Sequence, residues 1–158
     1  MRPVVERVSN YPRPPALVPC NQEVVVRALG TEIVRSRRSL RVCETFHPPT
    51  FYIHPEDVRL DLLQFERGSS FCEWKGAAEY RSIVVGDKRL SRACWLYPQP
   101  TSAFKELAGW LAFYPALMDG CWVDGEQVQP QHGGFYGGWI TSAVEGPFKG
   151  DPLYPHLI

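Results

Sequence analysis

Short apolar runs alternate with polar positions along this chain, and glycine, proline and aspartate punctuate them. Val24-Val25-Val26-Arg27-Ala28-Leu29 is β-branched and apolar, Gly30-Thr31 is turn material, and Glu32-Ile33-Val34-Arg35 resumes strand character. That order predicts a hairpin. Leu40-Arg41-Val42-Cys43-Glu44 predicts a further strand, whose period of two puts Leu40, Val42 and Glu44 on one face and Arg41 and Cys43 on the other. A carboxylate continuing an apolar face stands out. After Pro48-Pro49, Thr50-Phe51-Tyr52-Ile53 reads as a short strand, and His54-Pro55-Glu56-Asp57 as a helix start with an early proline and acids in the first turn. Leu60, Leu62, Leu63 and Phe65 fit no single period. Ala77 to Val85 and Arg89 to Trp95 flank Gly86-Asp87 as a second hairpin, and Cys121-Trp122-Val123 and Gln127-Val128 flank Asp124-Gly125 as a third. Between them, Ser102 is placed to cap a short helix through Leu107. Trp110 to Tyr114 is an apolar run that suits either a strand or a buried helix end.

The two ends have a different texture. Residues 1–22 contain Tyr11-Pro12-Arg13-Pro14-Pro15 and Pro19, which disfavour helix and predict an extended arm. From Pro130 onward, Gly133 to Trp139 and Gly146 to Gly150 mix glycines with aromatic rings, a composition that predicts an ordered tail folded back on the core. The expected division is therefore an arm over 1–22, a β core over 23–129 and a tail over 130–158. Strands do not alternate with long helices, so a doubly wound α/β fold is excluded. The fold class expected is mainly β, a compact single-domain β-barrel or β-tent-like structure with short helices.

Composition narrows the function classes. The chain has 158 residues, 44% of them apolar, enough for one sizeable core. Net charge is +0, which leaves no global field for nucleic acid or an anionic membrane, although residues 1–41 hold eight arginines against three glutamates. No secretory signal or membrane-length apolar run is visible, so a cytoplasmic protein is expected. The five cysteines include no Cys-x-x-Cys and are read as reduced thiols.

Several blocks together resemble a known family. Arg41-Val42-Cys43-Glu44-Thr45-Phe46-His47-Pro48-Pro49, followed by Tyr52-Ile53-His54-Pro55-Glu56-Asp57-Val58, is similar to the Arg-Val-Leu-Glu-Thr-x-His-Pro-Pro … Tyr-x-Pro-x-Glu-Asp-Val signature of domain of unknown function family 427. Cys72-Glu73-Trp74-Lys75-Gly76-Ala77-Ala78-Glu79-Tyr80 resembles its Cys-x-[Trp/Tyr]-Lys-Gly-x-Ala-x-Tyr block, and Ala93 to Pro98 and Leu111 to Tyr114 fit later ones. The arm and the Gly-aromatic tail look like the family's long bacterial form. The resemblance implies a compact β structure of the β-tent group. It also implies a nucleotidyltransferase-like label, with no chemistry attached. Many β-tent relatives hold zinc between two Cys-x-x-Cys knuckles; this chain has neither, and no metal site is expected.

Two residues are candidate catalytic groups. Cys72 lies three positions from Lys75, and an ammonium beside a thiol lowers its pKa and sharpens its nucleophilicity. The competing reading makes Cys72 a packing residue and Lys75–Glu44 a structural ion pair. Glu44, Tyr52, Asp57, Lys75, Tyr80, Trp95 and Tyr97 are the candidate ligand-binding residues, drawn from the densest blocks. Trp74 and Trp95 are the expected aromatic walls. Cys43, His47 and His54 fit no standard zinc spacing. No Gly-x-x-x-x-Gly-Lys or Gly-x-Gly-x-x-Gly loop is present for a nucleotide, and the arginines from Arg35 to Arg41 suit a solvated hairpin tip better than a polyanion site. The first expectation is a small-molecule-binding β domain with a polar pocket. An enzyme using Cys72 or Lys75 comes second, and an interaction or structural protein third. No cofactor, substrate or oligomeric state is implied.

Overall fold

A computed structural model of the chain describes residues 5–133 and 136–157. Met1 to Val4 of the expected arm, and Gly134, Phe135 and Ile158 of the expected tail, lie outside the described residues. Among the described residues, fifteen strands run in the order β1 (Glu6–Arg7), β2 (Ala16–Cys20), β3 (Val24–Ala28), β4 (Thr31–Ser36), β5 (Ser39–Cys43), β6 (Thr50–Ile53), β7 (Leu63–Cys72), β8 (Gly76–Val85), β9 (Lys88–Leu96), β10 (Leu111–Phe113), β11 (Gly120–Val123), β12 (Glu126–Gln127), β13 (Gln129–Pro130), β14 (Trp139–Ile140) and β15 (Val144–Glu145). Short 3-10 turns over Pro55–Asp57, Leu60–Leu62, Ser102–Leu107 and Pro115–Leu117 join them. No helix among the described residues is long and apolar enough to cross a membrane.

The turn chemistry explains the hairpins. Leu29 and Gly30 both have positive φ between paired Ala28 and Thr31, and Asp124 and Gly125 do the same between Val123 and Glu126. Two left-handed residues in a two-residue loop match the twist of the flanking strands. Gly86 alone is left-handed between Val85 and Lys88, the pattern of a glycine-first turn. The remaining apolar run resolves as strand β10, paired with β6 on one side and β9 on the other. The expected cap at Ser102 moves by one residue. Thr101 takes the cap position, and its hydroxyl donates to the Trp74 carbonyl at 2.5 Å instead of capping the turn.

Two main sheets result. The larger has seven strands in the order β2-β5-β6-β10-β9-β8-β7, and the smaller has four, β12-β11-β3-β4. The fold is mainly β, as expected, but the barrel is not closed. The seven-stranded sheet ends on β2 and β7, and it buries one face against the smaller sheet instead of curling onto itself. Edge strand β2 contains Pro19, which has no N–H to give to a ladder and is tolerated at an edge.

Strand alternation then divides the larger sheet's residues between two apolar clusters. Phe51, Ile53, Cys94, Leu111 and Phe113 face the smaller sheet, where they meet Val24, Val26 and Cys121. Tyr52, Trp95 and Ala112, one step along the same strands, point the other way and join Leu40, Val42, Tyr80, Phe104 and Leu107. Trp139 adds to the inter-sheet core: it is fully buried, its ring centroid lies 4.9 Å from that of Phe51, and its indole N–H donates to the Phe113 carbonyl at 3.3 Å. At the other end of the chain, Arg41 on β5 pairs with Glu6 at 3.0 Å, and the Tyr11 hydroxyl donates to the same carboxylate at 2.6 Å.

Candidate functional site

A cavity of about 200 Å³ opens on the face of the large sheet that points away from the smaller one. Its floor follows from the alternation just described. Tyr52 on β6 and Trp95 on β9 project from adjacent parts of the sheet, and the Trp95 indole N–H donates to the Tyr52 phenol oxygen at 3.2 Å. Tyr114, just past β10, packs its ring 4.4 Å from that of Trp95. Tyr80 on β8 shares a 2.7 Å hydrogen bond with Ser70 on β7. Tyr97 closes this aromatic wall, with its ring 6.2 Å from Tyr52. Burial raises the pKa of the Tyr52 and Tyr97 hydroxyls above the usual phenol range. Burial, helped by the neighbouring Tyr80, raises that of Tyr114 to about 12. All three are neutral hydroxyls at physiological pH, able to donate and accept.

Lys75 occupies the rim. It is the last residue of the three-residue connection Glu73-Trp74-Lys75 between paired Cys72 and Gly76, and Gly76 carries the left-handed φ of +106° that ends the turn. Two hydrogen bonds from Thr101 hold this tip: its backbone N–H donates to the Lys75 carbonyl at 3.0 Å, and its hydroxyl donates to the Trp74 carbonyl. The Lys75 ammonium lies 5.7 Å from the centroid of the Tyr97 ring, within cation–π range. Among the described residues no carboxylate pairs with it.

The same cavity carries a carboxylate. Glu44, which continues the Leu40–Val42 face past the end of β5, lines the cavity as that face predicts. It is engaged by Arg13 at 3.6 Å and lies 4.0 Å from His47 Nε2, so the Lys75–Glu44 pair considered from the sequence does not form. His47 is held on its other side by Gln131, whose side-chain amide lies 3.1 Å from Nδ1 and also donates to the Lys149 carbonyl at 2.8 Å. An amide N–H directed at Nδ1 leaves the ring proton on Nε2, facing Glu44. Burial lowers the His47 pKa, against an upward pull from Glu44.

Of the residues singled out from sequence, Glu44, Tyr52, Lys75, Tyr80, Trp95 and Tyr97 line this one cavity, and Asp57, Cys72 and Trp74 do not. Asp57 sits elsewhere, in the turn after β6, where Arg38 pairs with it at 2.7 Å and the Ser36 hydroxyl donates to it at 2.6 Å. Those bonds lower its pKa and make it a structural anchor for the β4–β5 connection. Cys72 lies in the β7–β8 ladder and packs against the second cluster beneath the wall without lining the cavity. Trp74 likewise packs against that cluster, so only Trp95 of the two expected aromatic walls faces the cavity.

Sequence reasoning missed Ser70, Tyr114, Gln131, Tyr136 and Gly137 as lining residues. Ser70 belongs to an edge strand whose largely exposed residues show no apolar alternation. Gln131 and Gly137 lie in a stretch without period. Gly137 had one readable signal, its place in a glycine run: a Cβ there would overlap the Trp95 indole.

A family model described as a domain of unknown function, DUF427, matches residues 16–124. The chain belongs to the DUF427 family. The matched segment supplies the sheet, Glu44, Lys75 and all of the cavity's aromatic wall except Tyr136. Gln131, Tyr136 and Gly137 come from beyond it, so this DUF427 chain completes its cavity with residues outside the family segment. No curated protein matches the chain.

Proposed function

We propose that this DUF427 domain binds a small molecule bearing an anionic group, without covalent chemistry, and that Lys75 is its principal contact. One observation carries the reading: Lys75 presents an ammonium to a cavity of phenol and hydroxyl groups while the nearby carboxylate, Glu44, is engaged by Arg13 and His47. A half-buried cation with no counter-ion among the described residues is better stabilised by an anion than by its own surroundings. The neutral tyrosines offer hydrogen bonds to polar atoms of the guest and flat faces to its body. Cys72 outside the cavity favours binding over nucleophilic catalysis.

The test is calorimetric titration of benzoate into the intact chain and into Lys75→Gln. The expected result is a loss of affinity of at least roughly tenfold in the variant, the scale of a charge-assisted hydrogen bond, with an unchanged melting temperature. Equal affinities would overturn the reading.

A further inference from the structure

The cavity adjoins a second hollow of about 570 Å³. Ser70, Tyr80, Tyr114 and Tyr136 line both. The second hollow continues past them to Arg92 and Leu117.

Arg92 is held there by two irregularities in neighbouring ladders. Between β8 and β9 the register passes from Arg81–Cys94 to Ile83–Leu90, and Arg92 falls in the resulting bulge with φ +49°. That is the left-handed region, in which an arginine is strained. On the other side of β8, the register with β7 shifts between Glu66 and Ser69, where Gly68 has φ +100°. Bulges re-aim side chains, and these two place the Arg92 guanidinium 3.9 Å from the centroid of the Tyr80 ring. Its Nη1 lies close to Gly68, where a Cβ would come within 3.3 Å. The neighbouring arginines are paired, Arg81 with Glu79 at 3.2 Å and Arg89 with Glu66 at 3.0 Å. Among the described residues no carboxylate pairs with Arg92.

We infer that the two hollows are the two ends of one binding site and that its ligand is a planar dianion. This rests on the reading of Lys75 above and extends it. One anionic oxygen group meets Lys75, the other meets Arg92, and the ring between them lies against Tyr80, Tyr114 and Tyr136. The assignment follows from three features: in each hollow a cation that no carboxylate among the described residues pairs with, an aromatic wall common to both, and backbone strain retained at the residue that carries the second cation. A guanidinium presents a fork that matches a carboxylate or a phosphate, so Arg92 fixes the orientation of its group as well as its charge. The Ser70–Tyr80 hydroxyl pair, bonded at 2.7 Å where the hollows meet, is placed to exchange its mutual bond for one to the middle of the ligand.

The test titrates benzoate, terephthalate, biphenyl dicarboxylate and para-sulfobenzoate into the intact wild-type chain, Arg92→Gln, Arg92→Lys and Lys75→Gln, with melting temperatures as a folding control. At least one dianion is expected to bind roughly tenfold or more tighter than benzoate. Arg92→Gln should erase that advantage, and Arg92→Lys should restore only part of it. The ratio of terephthalate to para-sulfobenzoate tells whether the Arg92 end takes a planar carboxylate or a tetrahedral oxyanion. A dianion advantage that is absent, or that survives Arg92→Gln, overturns the second subsite and leaves the single-anion reading at Lys75 standing. Benzoate binding that survives Lys75→Gln overturns that first reading, and failure of every probe to bind the wild-type chain overturns both.

Discussion

The Trp95 indole N–H donates to the Tyr52 phenol oxygen at 3.2 Å, between two side chains that are both almost wholly buried, and this bond forms the floor of the cavity. Replacing Tyr52 by Phe keeps the ring and removes the acceptor. A buried N–H left without a partner costs about 1–3 kcal/mol, so Tyr52→Phe should lower the urea-unfolding free energy by that amount with no change in the denaturant slope. An unchanged midpoint would mean that the indole finds water.

Gly137 touches the same indole from the tail. The obstacle to a side chain there is steric, since its φ lies outside the left-handed region, and an added methyl would meet the Trp95 ring. Gly137→Ala should destabilise by about 1–3 kcal/mol, the usual range for overpacking. Combined with Trp95→Phe, which clears space, the two effects should fall short of additivity, as contacting sites do. Additive melting-temperature changes would show that the tail does not press on Trp95.

Acid stability should fall in two windows. Burial holds the folded-state pKa of His47 below its ordinary value of 6.5, so the unfolded chain takes up the proton first. That stability is present above pH 6.5 and declines below it, until His47 in the folded chain is also protonated. Glu6 and Asp57, lowered chiefly by their bonds to Arg41 and Arg38, add a second loss below their ordinary values of 4.5 and 3.8. Chemical denaturation across pH should therefore show two declines, and His47→Gln should flatten only the upper one. A variant with an unaltered upper decline would locate that proton elsewhere.

Thiol labelling should separate the five free cysteines by burial. Burial raises the thiol pKa to about 11 at Cys43 and to about 12 at Cys94 and Cys121. Cys20 and Cys72 are partly exposed. Mass spectrometry after brief iodoacetamide treatment at neutral pH should find label on Cys20 and Cys72 alone, and on the other three only after denaturation. Native labelling of Cys94 would show that the strands around it open.

Local chemistry made the hairpins readable: the turn expected at Gly30-Thr31 falls one residue earlier, at Leu29-Gly30, and those at Gly86-Asp87 and Asp124-Gly125 fall where they were expected. Period two was sufficient to bring Glu44 to the cavity on the face of Leu40 and Val42. What escaped reading depends on pairing across long separations. Asp57 resembles a site carboxylate until the fold brings Arg38 to it, and Trp139 gives no periodic sign that it will stack on Phe51. Alternation could not choose between the barrel and tent-like alternatives for a related reason. Alternation shows that a sheet has two faces, but it does not say whether the second face is covered by the sheet's own curvature or by another layer.

Strand β6 carries a consequence of its own. Phe51 and Ile53 belong to the dry layer between the sheets, and Tyr52 belongs to the cavity. Parity along four residues is thus an address. Inserting or deleting one residue within Thr50–Ile53 would send the phenol into the hydrocarbon layer and two apolar side chains into the cavity. Length changes in this strand should therefore disrupt both layers together. Point changes at Tyr52 reach only the cavity layer, so the lining of the cavity can drift while the inter-sheet core stays fixed.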